Sequence, residues 1–267
     1  MMKKTLWKTL ISFLVFGFIN AQAAPVPASS AQATAEKDVV TFYITRHGKT
    51  LFNTAHRAQG WSDTPLTAAG VSVAEDLGRG LKGIPFTAAY SSDSGRARQT
   101  AKIALTFAGQ TLPVTEDERL RETFFGPSEG ELDAVMWAPV AKKLGFADLS
   151  SVTQALSKGQ ITLETMMNTL AAVDPTHTTE NATQVKTRMQ AALHDIAQKT
   201  LAEGGGNVLI VSHGMAIMAM LQGMTPEENL RAPLQNASVT VVTYKDSKFT
   251  VGKVGDMQFV EKGTRQN

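Results

Sequence analysis

An α/β fold is predicted by three features: two apolar strands that each stop at a histidine and a glycine, helix-spaced apolar residues between them, and a closing pair of β-branched strands. The first strand stretch is Thr41-Phe42-Tyr43-Ile44-Thr45-Arg46-His47-Gly48 and the second is Asn207-Val208-Leu209-Ile210-Val211-Ser212-His213-Gly214. A strand ended by a glycine turn delivers side chains to the crevice where open α/β sheets bind ligands. His47 and His213 are therefore expected to share one site. With 267 residues, 43% of them hydrophobic, the chain is long enough for one substantial domain.

The elements follow in order. Lys3, Lys4 and Lys8 precede a short apolar core over 10–19, and Ala21-Gln22-Ala23 is a small-x-small cleavage site, so 1–23 reads as a secretory signal peptide removed after Ala23. The apolar run is short of the about 20 residues that cross hydrocarbon. Residues 24–37 are rich in Ala, Pro, Ser and Gln and read as a flexible linker. The remainder, 38–267, is read as one catalytic domain.

Its first strand covers about 39–45, and the stretch 49–65 is read as a long loop leaving the first histidine. Thr67 is a fitting N-cap for a helix over 68–81 that buries Val71, Ala74, Leu77 and Leu81 and stops at Gly83. A strand at 88–91 runs into a turn and helix start at Ser94-Gly95-Arg96, where backbone N–H groups favour anions. Arg96 there points to an anion or pairs with Asp93. After a short strand at 113–116, residues 118–130 form a charged loop with Phe124, Phe125 and two glycines. Burial of one of its carboxylates beside Phe124 or Phe125 would keep it protonated part of the time, as a general acid requires.

Residues 131–179 alternate helical and irregular patterns and read as a helical cap inserted over the site. A long amphipathic helix over 180–201, with Val185, Met189, Leu193 and Ile196 on one face, ends at Gly204-Gly205-Gly206. The His194-Asp195 pair within it reads as exposed polarity. The strand at 208–212 and a helix at 215–221 follow, and strands at 239–244 and 249–254, joined by Lys245-Asp246-Ser247, read as sheet-edge structure.

Charge narrows the function. The formal +2 falls to about −1 once the three leader lysines are removed, so nothing basic argues for nucleic acid or an anionic membrane surface. The chain has no cysteine and hence no disulfide framework, and the leader alone argues for a periplasmic or secreted location. The sequons at Asn181 and Asn236 matter only in a glycosylating pathway.

Five separated motifs resemble the histidine phosphatase superfamily, in its phosphoglycerate-mutase-like branch: Arg46-His47-Gly48, the loop with Asn53, Gln59 and Gly60, Arg96-Ala97-x-x-Thr100-Ala101, Leu120-Arg121-Glu122 with Glu129-Gly130, and Ser212-His213-Gly214. The resemblance implies a three-layer α/β/α sandwich with a mostly parallel central sheet and the helical cap at 131–179. It implies His47 as the phosphorylated nucleophile, Arg46, Arg96 and His213 as the phosphoryl clamp, and Glu122 as general acid and base. It also implies that Asn53, Gln59, Gly60 and Gly214 hold the substrate phosphate. The chemistry suits these residue types, because phosphoryl transfer asks for an in-line nucleophile, cationic donors and an acid for the leaving oxygen. No metal or cofactor is called for, and the expected partner is a small phosphorylated substrate.

Two departures from the family pattern stand out: the first would add a cation that alters which substrates are held, and the second, with export away from glycolysis, favours a hydrolase over a mutase. Lys49 follows the first motif where the branch often has Glu or Gln. Phe124-Phe125-Gly126-Pro127 stands where phosphoglycerate mutases carry a longer basic run. The expected activity is an exported phosphomonoesterase working through phosphohistidine. The alternatives are a cofactor-dependent phosphoglycerate mutase or a non-catalytic phospho-ligand binding protein.

Overall fold

The computed structural model describes residues 38–266. The expected leader at 1–23 and linker at 24–37 lie outside the described residues. Strand β1 (Val40–Arg46) is followed by α1 (Leu51–Ala55), α2 (Ala68–Gly80), β2 (Phe86–Ser91), α3 (Gly95–Phe107) and β3 (Val114–Glu116). Then come α4 (Asp133–Leu144), α5 (Leu149–Ser157), α6 (Leu163–Val173) and α7 (Ala182–Ala202). The chain continues through β4 (Gly206–Ser212), α8 (Gly214–Leu221), β5 (Val239–Lys245), β6 (Lys248–Val251) and α9 (Gln258–Thr264).

The strands form one six-stranded sheet in the order β3-β2-β4-β1-β5-β6. β3, β2, β4 and β1 run parallel, and β5 and β6 join antiparallel. Alternation along each strand divides the core into two layers. Val208, Ile210, Phe42, Ile44 and Val242 pack with α7, α8 and the helices of 133–173. Leu209, Val211, Val239, Ala89 and Phe86 pack with α2, α3 and α9. Strands buried on both faces read as near-continuous apolar runs, which is why β1 and β4 are visible in the sequence.

Local chemistry sets the helix starts. Thr67 accepts from the Gly70 N–H, as its N-cap position predicts. Asn181 and Gln184 close a capping box on α7, so the first sequon asparagine is a helix cap. The stretch 49–65 is less open than expected: Thr50 and Asn53 form a second capping box, and α1 occupies five residues of it. Helix α9 gives no amphipathic signal long enough to read, yet it packs on α2 with backbones in contact; a Cβ on Gly80 would lie 1.7 Å from the Phe259 carbonyl oxygen.

The C-terminal hairpin departs from its expected place. β5 pairs with both β1 and β6, so of the two hairpin strands β6 alone lies at an edge, and β6 ends at Val251 rather than Val254. β5 is a central strand because its alternating Val239, Val241 and Val242, Tyr244 fill both layers. Among the described residues no helix is long and apolar enough to cross a membrane.

Candidate active site

Strand register brings the two histidines together. Arg46 lies opposite Ser212 at the carboxyl ends of β1 and β4, the His47 N–H donates to the Ser212 carbonyl at 3.0 Å, and the imidazole centroids are 5.2 Å apart. This is the sheet edge at which α/β folds bind ligands. Both rings are buried.

Nδ1 of His47 sits 2.8 Å from the Gly48 carbonyl. A carbonyl only accepts, so Nδ1 carries the hydrogen and Nε2 keeps its lone pair. Burial first, then the Arg96 and Arg46 charges, hold His47 well below the ordinary imidazole range, against an opposing pull from the Gly48 carbonyl. The ring is neutral at neutral pH. Thr100 explains the threonine of its motif: its hydroxyl accepts from the Gly48 N–H at 2.9 Å and donates to the Arg96 carbonyl at 2.7 Å, tying α3 to the turn after His47.

His213 is held from both sides. Arg96 Nη2 donates to its Nδ1 at 2.9 Å, so the hydrogen is on Nε2, which faces the Ser92 hydroxyl at 2.7 Å. Burial, followed by the charges of Arg96, His47, Arg188 and Arg46, holds this ring well below its ordinary range too.

Arg96 is placed differently from the expected clamp. Its side chain is fully buried, and its Nη atoms donate to the Ser62, Gln59 and Gly60 carbonyls, to Asp63 and to His213. Its acidic partner is therefore Asp63 at 2.9 Å, while Asp93, the alternative partner read from the sequence, pairs with Arg121. Arg96 braces the loop over 59–63 against His213, and only its Nε is left. Nε of Arg46 is likewise buried and unpartnered, with Nη1 donating to the Leu234 carbonyl at 2.6 Å. Two buried guanidinium N–H donors without acceptors each cost about 1–3 kcal/mol, a cost that an anion's oxygens would remove.

The Glu122 carboxylate is buried and shares the groove lining with Phe125, and backbone N–H groups meet its oxygens. Oε1 accepts from the Thr123 N–H at 2.9 Å and the Ala216 N–H at 2.8 Å, and Oε2 accepts from the Met215 N–H at 3.1 Å. Glu122 thus sits over the first turn of α8, and Oε2 keeps one lone pair for a proton. Trp61 covers the segment, donating from Nε1 to the Glu122 carbonyl at 3.0 Å and packing its ring, tilted by 42°, against Phe124 with centroids 4.8 Å apart.

Sequence reasoning missed the brace behind this segment. Arg188 on α7 donates to the Arg119, Arg121 and Glu122 carbonyls at 2.7–2.8 Å and to both oxygens of Glu180 at 2.8 Å. Glu180 in turn accepts from the Phe124 N–H at 2.9 Å. Nothing local announces this brace, because Glu180 lies just before α7 and Arg188 within it, while the carbonyls that Arg188 holds belong to residues 119–122, far earlier in the chain.

The loop residues divide. Asn53 and Gln59 line the groove beside His47; Asn53 accepts from Asn236, whose Nδ2 also donates to the His47 carbonyl at 3.0 Å. Asn236, read only as a sequon, is thus part of the site. Gln59 is held by Thr50 and Thr64. Gly60 is needed for packing, since a Cβ there would lie 2.2 Å from Glu129 Oε1. Glu129 gathers the N–H groups of Gly60, Trp61, Ser62 and Phe125, which fixes the loop. Gly214 lines the groove beside Arg46, and its Cβ position lies 3.4 Å from Arg46 Nε, an ordinary contact distance.

A groove of about 430 Å³ opens from this cluster, lined at one end by Arg46, His47, Asn53, Gln59, Glu122 and Gly214 and at the other by apolar residues of α4, α5, α6 and α8. His213 faces a second hollow, of about 300 Å³, that shares Glu122. Among the described residues no cluster of three or more His, Cys, Asp or Glu side chains has metal-ligand geometry.

Comparison with known proteins places these features. The family model described as histidine phosphatase superfamily (branch 1) matches residues 42–257. A protein of Yersinia pestis (strain Pestoides F) named probable phosphoglycerate mutase GpmB is 33% identical over 208 residues, 77% of this chain and 85% of that one. A crystal structure titled phosphoglycerate mutase from Bacillus anthracis str. Sterne is 42% identical, with a TM-score of 0.80, covering 85% of this chain and 98% of that one. The structure of Bacillus stearothermophilus YhfR is 29% identical, with a TM-score of 0.64, over 83% and 99%.

Proposed function

This chain belongs to the histidine phosphatase superfamily, branch 1, and from that membership we propose that it is a phosphomonoesterase working through phosphohistidine on His47. The observation that carries this reading is a buried, neutral His47 with its Nε2 lone pair free, within electrostatic reach of two arginines whose Nε donors lack acceptors. His47 Nε2 attacks phosphorus in line while the bond to the leaving oxygen breaks. The Nε donors of Arg46 and Arg96 bind the phosphoryl oxygens, and the Gly48 carbonyl, accepting from Nδ1–H, stabilises the positive charge that develops on the ring. The proton on Glu122 Oε2 goes to the departing alkoxide. In the second step water attacks phosphorus, Glu122 takes its proton, and neutral His47 is regenerated with free phosphate.

Arg96 and His213 act here partly as a frame. Their mutual hydrogen bond leaves one Arg96 donor for the anion, so the clamp is smaller than the sequence pattern suggests. Asn53 and Asn236 hold the turn that carries His47. The leader at 1–23 supports export to the periplasm or medium, and N-terminal sequencing of the protein from the periplasmic fraction tests it. An intact leader on cytoplasmic protein rejects export.

A mutase is the second reading, favoured by the names of the Yersinia and Bacillus anthracis relatives. Turnover decides between them. Phosphate release from simple monoesters, undiminished by chelator and abolished in His47→Ala with the fold intact by circular dichroism, is the expected result. Interconversion of phosphoglycerates without phosphate release rejects the hydrolase.

A further inference from the structure

The groove has two chemically different ends. Its phosphoryl end carries Arg46, His47 and Glu122, whereas the far wall is built from Met136, Trp137, Leu156, Leu163, Met166 and Met218, all buried side chains of α4, α5, α6 and α8. A phosphoryl group fills a small part of about 430 Å³, and water gains little from an apolar wall that offers it no partners. The remaining space suits a body that gains by leaving water.

The charges argue the same way. An acidic leaving group would bring a carboxylate into this wall, where burial without a partner is costly. Asp133 stands on the groove and would repel it. Lys49 and Arg57 also line the groove, but both are exposed, and Arg57 donates to the Gly130 carbonyl at 2.7 Å, so neither is a buried partner for a carboxylate against the apolar wall. Methionines supply much of the wall, and their unbranched side chains adjust to different shapes.

We propose that the substrate is a phosphate monoester of an apolar alcohol, its phosphoryl group at His47 and its alkyl or aryl body along the α4–α6 wall of the groove. This rests on the phosphomonoesterase reading. The test is phosphate release from propyl, hexyl and octyl phosphate, 2-(1-naphthyl)ethyl phosphate, 3-phosphoglycerate and phosphoserine. The primary alkyl esters have nearly the same leaving group, so differences among them report burial alone. Each added methylene is expected to raise kcat/KM about fourfold until the wall is covered, with phosphoglycerate and phosphoserine below propyl phosphate. A preference for 2-(1-naphthyl)ethyl over octyl phosphate, both primary alkyl esters, identifies an aryl body, and the reverse an alkyl one. A flat alkyl series, or preference for the acidic esters, overturns the proposal and leaves the phosphomonoesterase standing; no release from any ester overturns both. Leu149, half-buried on the groove at the start of α5, supplies the variant: Leu149→Lys should cut the octyl-to-propyl ratio at least tenfold, while Met166→Leu keeps it. An unchanged ratio in Leu149→Lys removes the wall from substrate choice.

Discussion

At the scale of residues, the site is a set of polar groups whose partners are nearly all accounted for, and the exceptions mark where chemistry is expected. Glu122 Oε2 retains a lone pair, so Glu122→Gln should slow alkyl phosphates by about 10²–10⁴-fold, the range of general acid catalysis. Aryl phosphates with good leaving groups should suffer less at the first step, and equal losses on both classes in steady-state assays remove Glu122 from the acid role. Arg188 does not line the groove but holds the carbonyls of Arg119, Arg121 and Glu122. Breaking its largely buried pair with Glu180 by Arg188→Leu should cost about 3 kcal/mol in urea unfolding, because Glu180 is left unpaired. Adding Glu180→Leu should restore part of that stability without restoring turnover, since the Glu122 segment stays unbraced.

Elements matter through how closely they approach. Gly80 has helical geometry, so alanine there would gain about 1 kcal/mol from propensity alone. The Cβ position, however, lies 1.7 Å from the Phe259 carbonyl oxygen of α9, and moving a packed helix costs about 1–3 kcal/mol or more. The clash wins: Gly80→Ala should lower the thermal midpoint, and a rise would show that α9 does not dock this closely. The two strand ends illustrate the same point for the site. β1 and β4 each look like strands ending in histidine, but adjacency in the sheet, with Arg46 opposite Ser212, is what makes them one centre.

Across the whole molecule, burying two neutral imidazoles links stability to pH. Both His47 and His213 are held below 6.5 in the folded state, by burial first. The unfolded chain therefore binds protons first, and stability present above about pH 6.5 is lost as pH falls through the folded values. Asp93, Asp117, Asp174 and Asp256 are held below the ordinary carboxylate value, so their losses come only below about pH 4. Asp133, raised by burial, opposes with the other sign. Urea midpoints should fall between pH 6.5 and 4.5, and His213→Asn should flatten that slope. A slope unchanged by the substitution would show that the rings are not the source.

Legibility in the sequence followed the physics of each feature. The strands and the long helix α7 were readable because periodicity is a local property, and the five motifs because they keep their residue types in order. Helix α1 hid in a loop, and α9 hid because seven residues carry too little pattern. Arg188, Glu180, Asn236 and the methionine wall were not readable, since each acquires its role from a partner far away in the chain. Alone, the sequence determined the family, the α/β class and which residue types the chemistry uses. Tertiary structure decided where those residues sit: Arg96 became a brace with one unpartnered donor, and the Glu122 carboxylate took backbone N–H groups at the N-terminus of α8. Hydrogen-bond partners are chosen by distance and direction in space, and neither is written in the order of residues.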